Sequence, residues 1–108
     1  TNQGLNTVTA TTTATTSNQV IASVDATVYR AVKFLIRAVD AAGAKYHTTE
    51  ILAIHNGTAA TSTEYAAVNI GGVCATFDVD YSASTIRLLA TPASANSTTF
   101  TVALQLLK

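Results

Sequence analysis

Two aspartates, Asp78 and Asp80, have a spacing that could support chemistry between paired carboxylates. They alternate with Phe77 and Val79, so on a strand both would point to the same polar face, roughly 7 Å apart. Carboxylates at such a separation could form a glycosidase pair or bind calcium. The alternative is that they mark the solvent side of an edge strand, where charge discourages pairing with other sheets. We favour this alternative and treat Asp78 and Asp80 as a surface acidic pair.

Two glutamates lie in predicted strands, and an acid that faces a protein core needs a donor or a positive partner. Glu50 shares a predicted strand face with Leu52, and Glu64 lies in the strand that follows. The guanidinium groups of Arg30 and Arg87 each offer five donors in a planar fork. We therefore expect at least one of these glutamates to form a structural ion pair with Arg30 or Arg87. A pair that grips a ligand is the alternative.

Nucleophilic catalysis needs a Ser or Cys close to a His that a carboxylate orients. His47 and His55 are eight residues apart on one predicted strand, about 26 Å at the strand rise, so they cannot share a site. Cys74 is the single cysteine, and its short apolar segment contains no histidine. A lone cysteine excludes an internal disulfide and a cysteine metal cage, and we interpret it as an inert thiol. The sequence predicts no enzyme and no catalytic, cofactor-binding or metal-binding residues.

Composition narrows the function further. Apolar residues make up 48% of the 108 residues, which is enough for one core, and charged residues make up only 11%. Six basic and six acidic residues give zero net charge, without the basic stripe that nucleic-acid binding requires. No apolar run approaches the ~20 residues of a spanning helix, so we expect no membrane partner. The chain begins with Thr1 and has no methionine, which suggests an excised domain or a processed product.

The hydrophobic pattern predicts the elements that must position these residues. Apolar and polar residues alternate over residues 19–24, 28–39, 45–55, 61–69, 77–80, 86–90 and 99–107, which is typical of half-buried strands. A helix is the alternative for residues 28–39, because Ala, Lys, Arg and Leu are good helix formers. Turn signals lie between the strands, including Asn56-Gly57 and a turn over residues 40–43 in which Gly43 could take positive φ.

Seven or eight short strands at steady spacing predict an all-β fold, an antiparallel sandwich resembling a jelly roll. Residues 1–19 are polar and rich in threonine, and predict an N-terminal arm or linker. Residues 20–108 predict a single β-sandwich domain. We expect a common core of Val32, Phe34, Ile36, Leu52, Ile54, Phe77, Ile86, Leu88, Phe100, Val102 and Leu104.

Five stretches of the sequence carry a resemblance to a known group of proteins. They cover residues 29–34, 46–58, 63–65, 76–80 and 86–92, and their order and spacing are more specific than any one of them alone. From Tyr29 to its last residue, the chain resembles a β module of virion structural proteins of tailed bacteriophages, particularly those that infect cyanobacteria.

This resemblance implies a non-enzymatic module of a tail, neck, fibre or capsid-decorating protein, located in the virion. Its implied partners are other virion proteins, with further copies of the chain in a homo-oligomer. The alternative function is a fibre-borne adhesin that binds glycans on the host cell surface. Exposed aromatic side chains around a polar cleft would favour the adhesin, whereas the sequence pattern places most of the Tyr and Phe residues in the core.

Overall fold

Alternating apolar and polar side chains produce eight strands in the computed structural model, which describes residues 3–108. The strands are β1 (Gln3–Thr12), β2 (Gln19–Asp25), β3 (Ala31–Asp40), β4 (Lys45–His55), β5 (Ala60–Ile70), β6 (Ala75–Ser82), β7 (Thr85–Pro92) and β8 (Thr98–Leu107). The helical alternative for residues 28–39 is wrong, because β3 occupies most of that segment. No helix within the described residues is long and apolar enough to cross a membrane.

The strands form two antiparallel sheets that pack face to face. The larger sheet has the order β1-β8-β3-β4-β5, and the smaller has the order β2-β7-β6. The predicted all-β antiparallel sandwich is confirmed. Within the Thr-rich segment of residues 1–19, β1 pairs with β8 over ten residues, from Gln3 opposite Leu107 to Thr12 opposite Thr98. The segment expected to form an arm therefore also contributes an edge strand.

The core lies between the two sheets and is built from one face of each strand. Phe34 and Phe100 are fully buried on β3 and β8, and Phe77 packs edge-on against Phe100 with ring centroids 6.0 Å apart. Most of the expected core is confirmed as buried: Val32, Phe34, Ile36, Ile86, Leu88, Phe100, Val102 and Leu104, with Phe77 partly buried against them.

The prediction for β4 chose the wrong face. Leu52 and Ile54 point away from the core and are about half exposed, while Ile51 and Ala53 are buried. Both faces of β4 offer apolar residues, so hydrophobicity alone did not decide its register. The inward face also carries the buried Thr49, whose hydroxyl is satisfied because it donates to the Glu64 carboxylate at 2.9 Å.

The turn between β3 and β4 also differs from expectation. Ala44, with φ of 53°, takes the positive φ that we expected at Gly43. Gly43 serves a steric need, since a Cβ there would lie 2.9 Å from Oδ2 of Asp40. The Gly43 N–H donates to Oδ1 of Asp40 at 3.0 Å. The glycine therefore lets the turn close tightly over a buried carboxylate.

A β-bulge in β5 sets the direction of its side chains. Val68 lies opposite Thr48 and Tyr65 lies opposite Glu50, so Ala66 and Ala67 together oppose Thr49. Ala66, one of the two bulged residues, has a positive φ of 58°. Residues three apart on a regular strand point to opposite faces. The bulge reverses this and places Tyr65 and Val68 on the same face.

The register of β4 predicts that truncation of two neighbouring residues changes stability by very different amounts. Ile51 is 2% exposed and Leu52 is 45% exposed. Ile51→Ala should lower the free energy of unfolding by about 2–5 kcal/mol, because it leaves a cavity in the core. Leu52→Ala should change it by less than about 1 kcal/mol. Urea denaturation of both variants measures the difference, and a larger loss for Leu52→Ala would contradict the register.

Candidate functional site

The face of the larger sheet that points away from the core carries an unusual number of apolar side chains. We call it the outer face. Seven large side chains on β3, β4 and β5 are between 39% and 74% exposed: Leu35, Tyr46, Leu52, Ile54, Tyr65, Val68 and Ile70. When one face of an antiparallel sheet is exposed to solvent, the side chains on that face are usually polar. Such a patch therefore marks the outer face as the candidate functional surface of the chain.

Strand register gathers these side chains into one patch. Tyr46 lies directly opposite Ile70, and residues directly opposite each other on antiparallel strands share a face. The bulge at Ala66 keeps Tyr65 on the same side as Val68 and Ile70. Sequence reasoning missed this patch because it assigned Leu52 and Ile54 to the core and because no glycine signals the bulge.

The outer face is grooved. A depression of about 600 Å³ lies across β8, β3, β4 and β5, and its walls include Leu35, Arg37, Tyr46, Val68 and Ile70. A second depression, of about 650 Å³, lies beside it towards β1 and is lined by Lys33 and Glu50 among others. The first is predominantly apolar and the second is more polar, so the face offers both kinds of contact side by side.

Charge on the outer face is sparse and partly compensated. Nζ of Lys33 lies 3.2 Å from Oε1 of Glu50, and both side chains are only partly exposed. Nη2 of Arg37 donates to Oγ1 of Thr101 at 3.0 Å. A partner could therefore cover Lys33 and Glu50 without leaving either ion unpaired, whereas Arg37 has a hydrogen bond but no opposite charge beside it.

The predicted pairing of the glutamates with arginines is wrong. Glu50 pairs with Lys33, and Glu64 is exposed at β5, where it accepts the hydrogen bond of Thr49. Arg30 donates from Nη1 to the carbonyl of His55 at 3.2 Å. Glu50 faces outward with Leu52, so it needs no partner from within the core. The error in the register of β4 therefore caused the error in pairing.

Arg87 pairs with one member of the surface acidic pair. Asp80 and Arg87 are directly opposite on β6 and β7, and the guanidinium makes two hydrogen bonds to the carboxylate, one of 2.7 Å from Nε to Oδ1. These hydrogen bonds, more than the charge alone, hold the pKa of Asp80 below its usual range. Asp78 is exposed on the same edge strand. The two acids thus lie on the smaller sheet, away from the outer face.

The two histidines lie inward at opposite ends of β4, where each anchors a loop. Nδ1 of His55 accepts from the Gly57 N–H at 3.0 Å, so Nε2 carries the proton and donates to the Tyr29 carbonyl at 2.9 Å. Nδ1 of His47 accepts from the Cys74 N–H at 3.4 Å. Burial lowers the pKa of His47, and the charge of Glu64 opposes this in part.

Cys74 is buried and free, and its thiol lies 3.4 Å from the Lys45 carbonyl oxygen and 3.5 Å from that of Ala38. Burial raises the pKa of this thiol, which disfavours the reactive thiolate. Among residues 3–108, no group of three or more His, Cys, Asp and Glu side chains is arranged to hold a metal ion.

Sequence reasoning also missed a buried carboxylate. Asp40 accepts hydrogen bonds from the Gly43 N–H, from Oγ of Ser94 at 3.0 Å and from Nδ2 of Asn96 at 3.3 Å. These bonds, led by that of Gly43, lower its pKa although burial opposes them. An Asp three residues before a Gly is a recognisable turn signal. The link to the β7–β8 loop, however, needs the tertiary structure.

Comparison with known proteins gives a likeness of fold alone. No protein-family model and no curated protein sequence matches the chain. The tailspike protein gp49 of Acinetobacter baumannii bacteriophage Fri1, a capsular polysaccharide depolymerase, superposes with a TM-score of 0.52 at 15% identity, over 96% of this chain and 18% of the tailspike. The tailspike of Acinetobacter phage vB_ApiP_P1 gives a TM-score of 0.49 at 17% identity, over 94% of this chain and 21% of that protein. The chain spans about a fifth of either tailspike.

The buried His47 predicts a loss of stability in mild acid. Because folding lowers the pKa of His47, the unfolded chain binds more protons below about pH 6.5, and the free energy of unfolding should fall as pH falls. Denaturant unfolding at pH 7.5 and pH 5.5 measures the loss. His47→Asn, which keeps an acceptor near the position of Nδ1, should reduce it. An equal loss in both proteins would contradict this role.

Proposed function

We propose that the chain is a non-enzymatic structural module of a phage virion, carried by a tail, neck, fibre or capsid-decorating protein. It acts through protein–protein contacts made by the outer face. The observation that carries the proposal is the patch of seven exposed apolar side chains on β3, β4 and β5. Exposed patches of this extent mark interaction surfaces, because water around them is released when a partner covers them.

Two independent likenesses support the virion setting. The sequence resembles modules of tailed-phage structural proteins, those of cyanobacterial phages in particular. The same fold is present as a small part of the Fri1 tailspike, a much longer phage protein. A module of this kind contributes a contact surface to a larger assembly, with other virion proteins and further copies of itself as partners.

The remainder of the chain fits a structural role in this proposal. Residues 1–19 act as an N-terminal arm ahead of a single domain of residues 20–108, and β1 attaches the arm along β8. Asp78 and Asp80 protect the exposed edge of β6, because charges on an edge strand discourage unwanted sheet extension. The ion pair of Asp80 with Arg87 also joins β6 to β7 at directly opposite positions.

Glycan binding is the second candidate function. Tyr46 and Tyr65 are exposed on the outer face, and Tyr46 lines the groove of about 600 Å³ beside Arg37. An exposed aromatic ring next to polar groups suits the apolar face and hydroxyl edge of a sugar. The sequence pattern had suggested fewer exposed aromatics, so the structure gives this alternative a physical basis.

The structural proposal predicts that a charge within the patch impairs assembly. Val68→Asp, introduced into the parent protein of the virus that encodes the chain, should lower the yield of complete particles by about tenfold or more, because a buried unpaired carboxylate opposes contact. Val20→Asp is the matched control, since Val20 is 46% exposed on β2 of the smaller sheet. Particle counts by electron microscopy provide the measurement. Normal assembly with Val68→Asp would overturn the proposal.

The glycan-binding candidate predicts that the chain binds host-surface sugars and that this binding depends on Tyr46. If the groove binds sugar, host-surface oligosaccharides should shift the NMR signals of residues around Tyr46, and Tyr46→Ala should weaken binding by about tenfold or more. Val20→Ala is the control, because Val20 is exposed on β2 of the smaller sheet and lies away from the groove. Absence of any shift at millimolar sugar would remove this candidate.

A further inference from the structure

We infer that the outer face is covered by the outer face of a second copy of this chain, so that two copies pack sheet against sheet. The inference rests on the proposed function and names the partner that meets the apolar patch. Three properties of the patch support a second copy: its area, its charge and its border.

The area is close to what one side of a stable interface buries. Since a large side chain has a surface on the order of 200 Å², the observed exposures leave on the order of 700 Å² of apolar side chain uncovered. A typical monomer has a largest apolar patch of about 300–600 Å². A standard interface buries about 800 Å² on each partner. A second copy would therefore cover the patch with an interface of ordinary size.

The charge of the chain permits contact between identical copies. The net charge is zero, so two copies approach without the repulsion that keeps highly charged proteins apart. On the patch itself, Lys33 and Glu50 neutralise each other. Arg37 already donates to Thr101. At Lys33 and Glu50, identical faces therefore meet without bringing uncompensated like charges together, whereas Arg37 has only a neutral partner.

The border of the patch is polar and composed of small side chains. Thr99 and Thr101 on β8 and Thr9 and Thr11 on β1 lie on the outer face beyond Leu35. An apolar centre beside a polar rim is the usual composition of a protein interface. A two-fold axis through the face would bring the same patch of both copies together. Two sheets packed in this way lie about 10 Å apart.

Sedimentation velocity of the 108-residue chain tests the inference. From about 1 μM to 1 mM, the chain should shift from monomer to dimer. Val68→Asp should raise the dissociation constant by about 100-fold or more, because it places a carboxylate within the apolar patch. Val20→Asp should leave the dissociation constant unchanged. Thermal unfolding of each variant checks its fold, and Ile54→Lys replaces Val68→Asp if the latter unfolds.

Each outcome has a definite meaning. Dimers lost in Val68→Asp and kept in Val20→Asp support the inference. A monomer at 1 mM, or a dimer that Val68→Asp leaves intact, overturns it. A monomeric chain whose Val68→Asp variant still blocks particle assembly means that another virion protein covers the face, so the inference fails and the proposed function stands. If the chain dimerises while particles tolerate Val68→Asp, the copies do meet through the outer face, but the proposed role of that face in virion assembly fails.

Discussion

The packing of a five-stranded sheet against a three-stranded sheet determines what this molecule hides and what it exposes. The smaller sheet can cover only part of the inner face of the larger one. Every residue of β5 except Ala60 is exposed, so this strand contributes little to the core. Its position is maintained instead by its long ladder of hydrogen bonds to β4. The core thus holds the centre of the sheet, while β5 presents side chains to partners.

Hydrogen bonds to the backbone and to other side chains satisfy the polar side chains buried in the interior. Asp40 joins the β3–β4 turn to the β7–β8 loop, His47 holds the segment at Cys74, and His55 holds the turn at Gly57. Each of these side chains is buried, and each forms hydrogen bonds that replace those it would make to water. These bonds fix loops at both ends of the sandwich without any disulfide.

Much of the fold could be predicted from the sequence, because alternation and turn residues are local signals. Strands such as β3 and β8, with Phe34 and Phe100 inward, follow directly from their pattern. The face of β4 could not be predicted in this way, since Leu52 and Ile51 are both strongly apolar and the register with β3, which places Ile51 opposite the buried Phe34, decides between them. The ion pairs depended on strand register, which is a property of the whole sheet. The apolar outer face could not be predicted from the sequence for the same reasons.

The bulge at Ala66 and Ala67 has a consequence for how relatives of this chain should be compared. Two residues occupy the space opposite Thr49, so loss of either alanine would restore a regular ladder and leave Tyr65, Val68 and Ile70 pointing in the same direction. A codon can therefore be gained or lost here without changing the surface that partners meet. Alignments of related sequences should place a one-residue gap at this position, and chain lengths in β5 should vary there before they vary anywhere in β3.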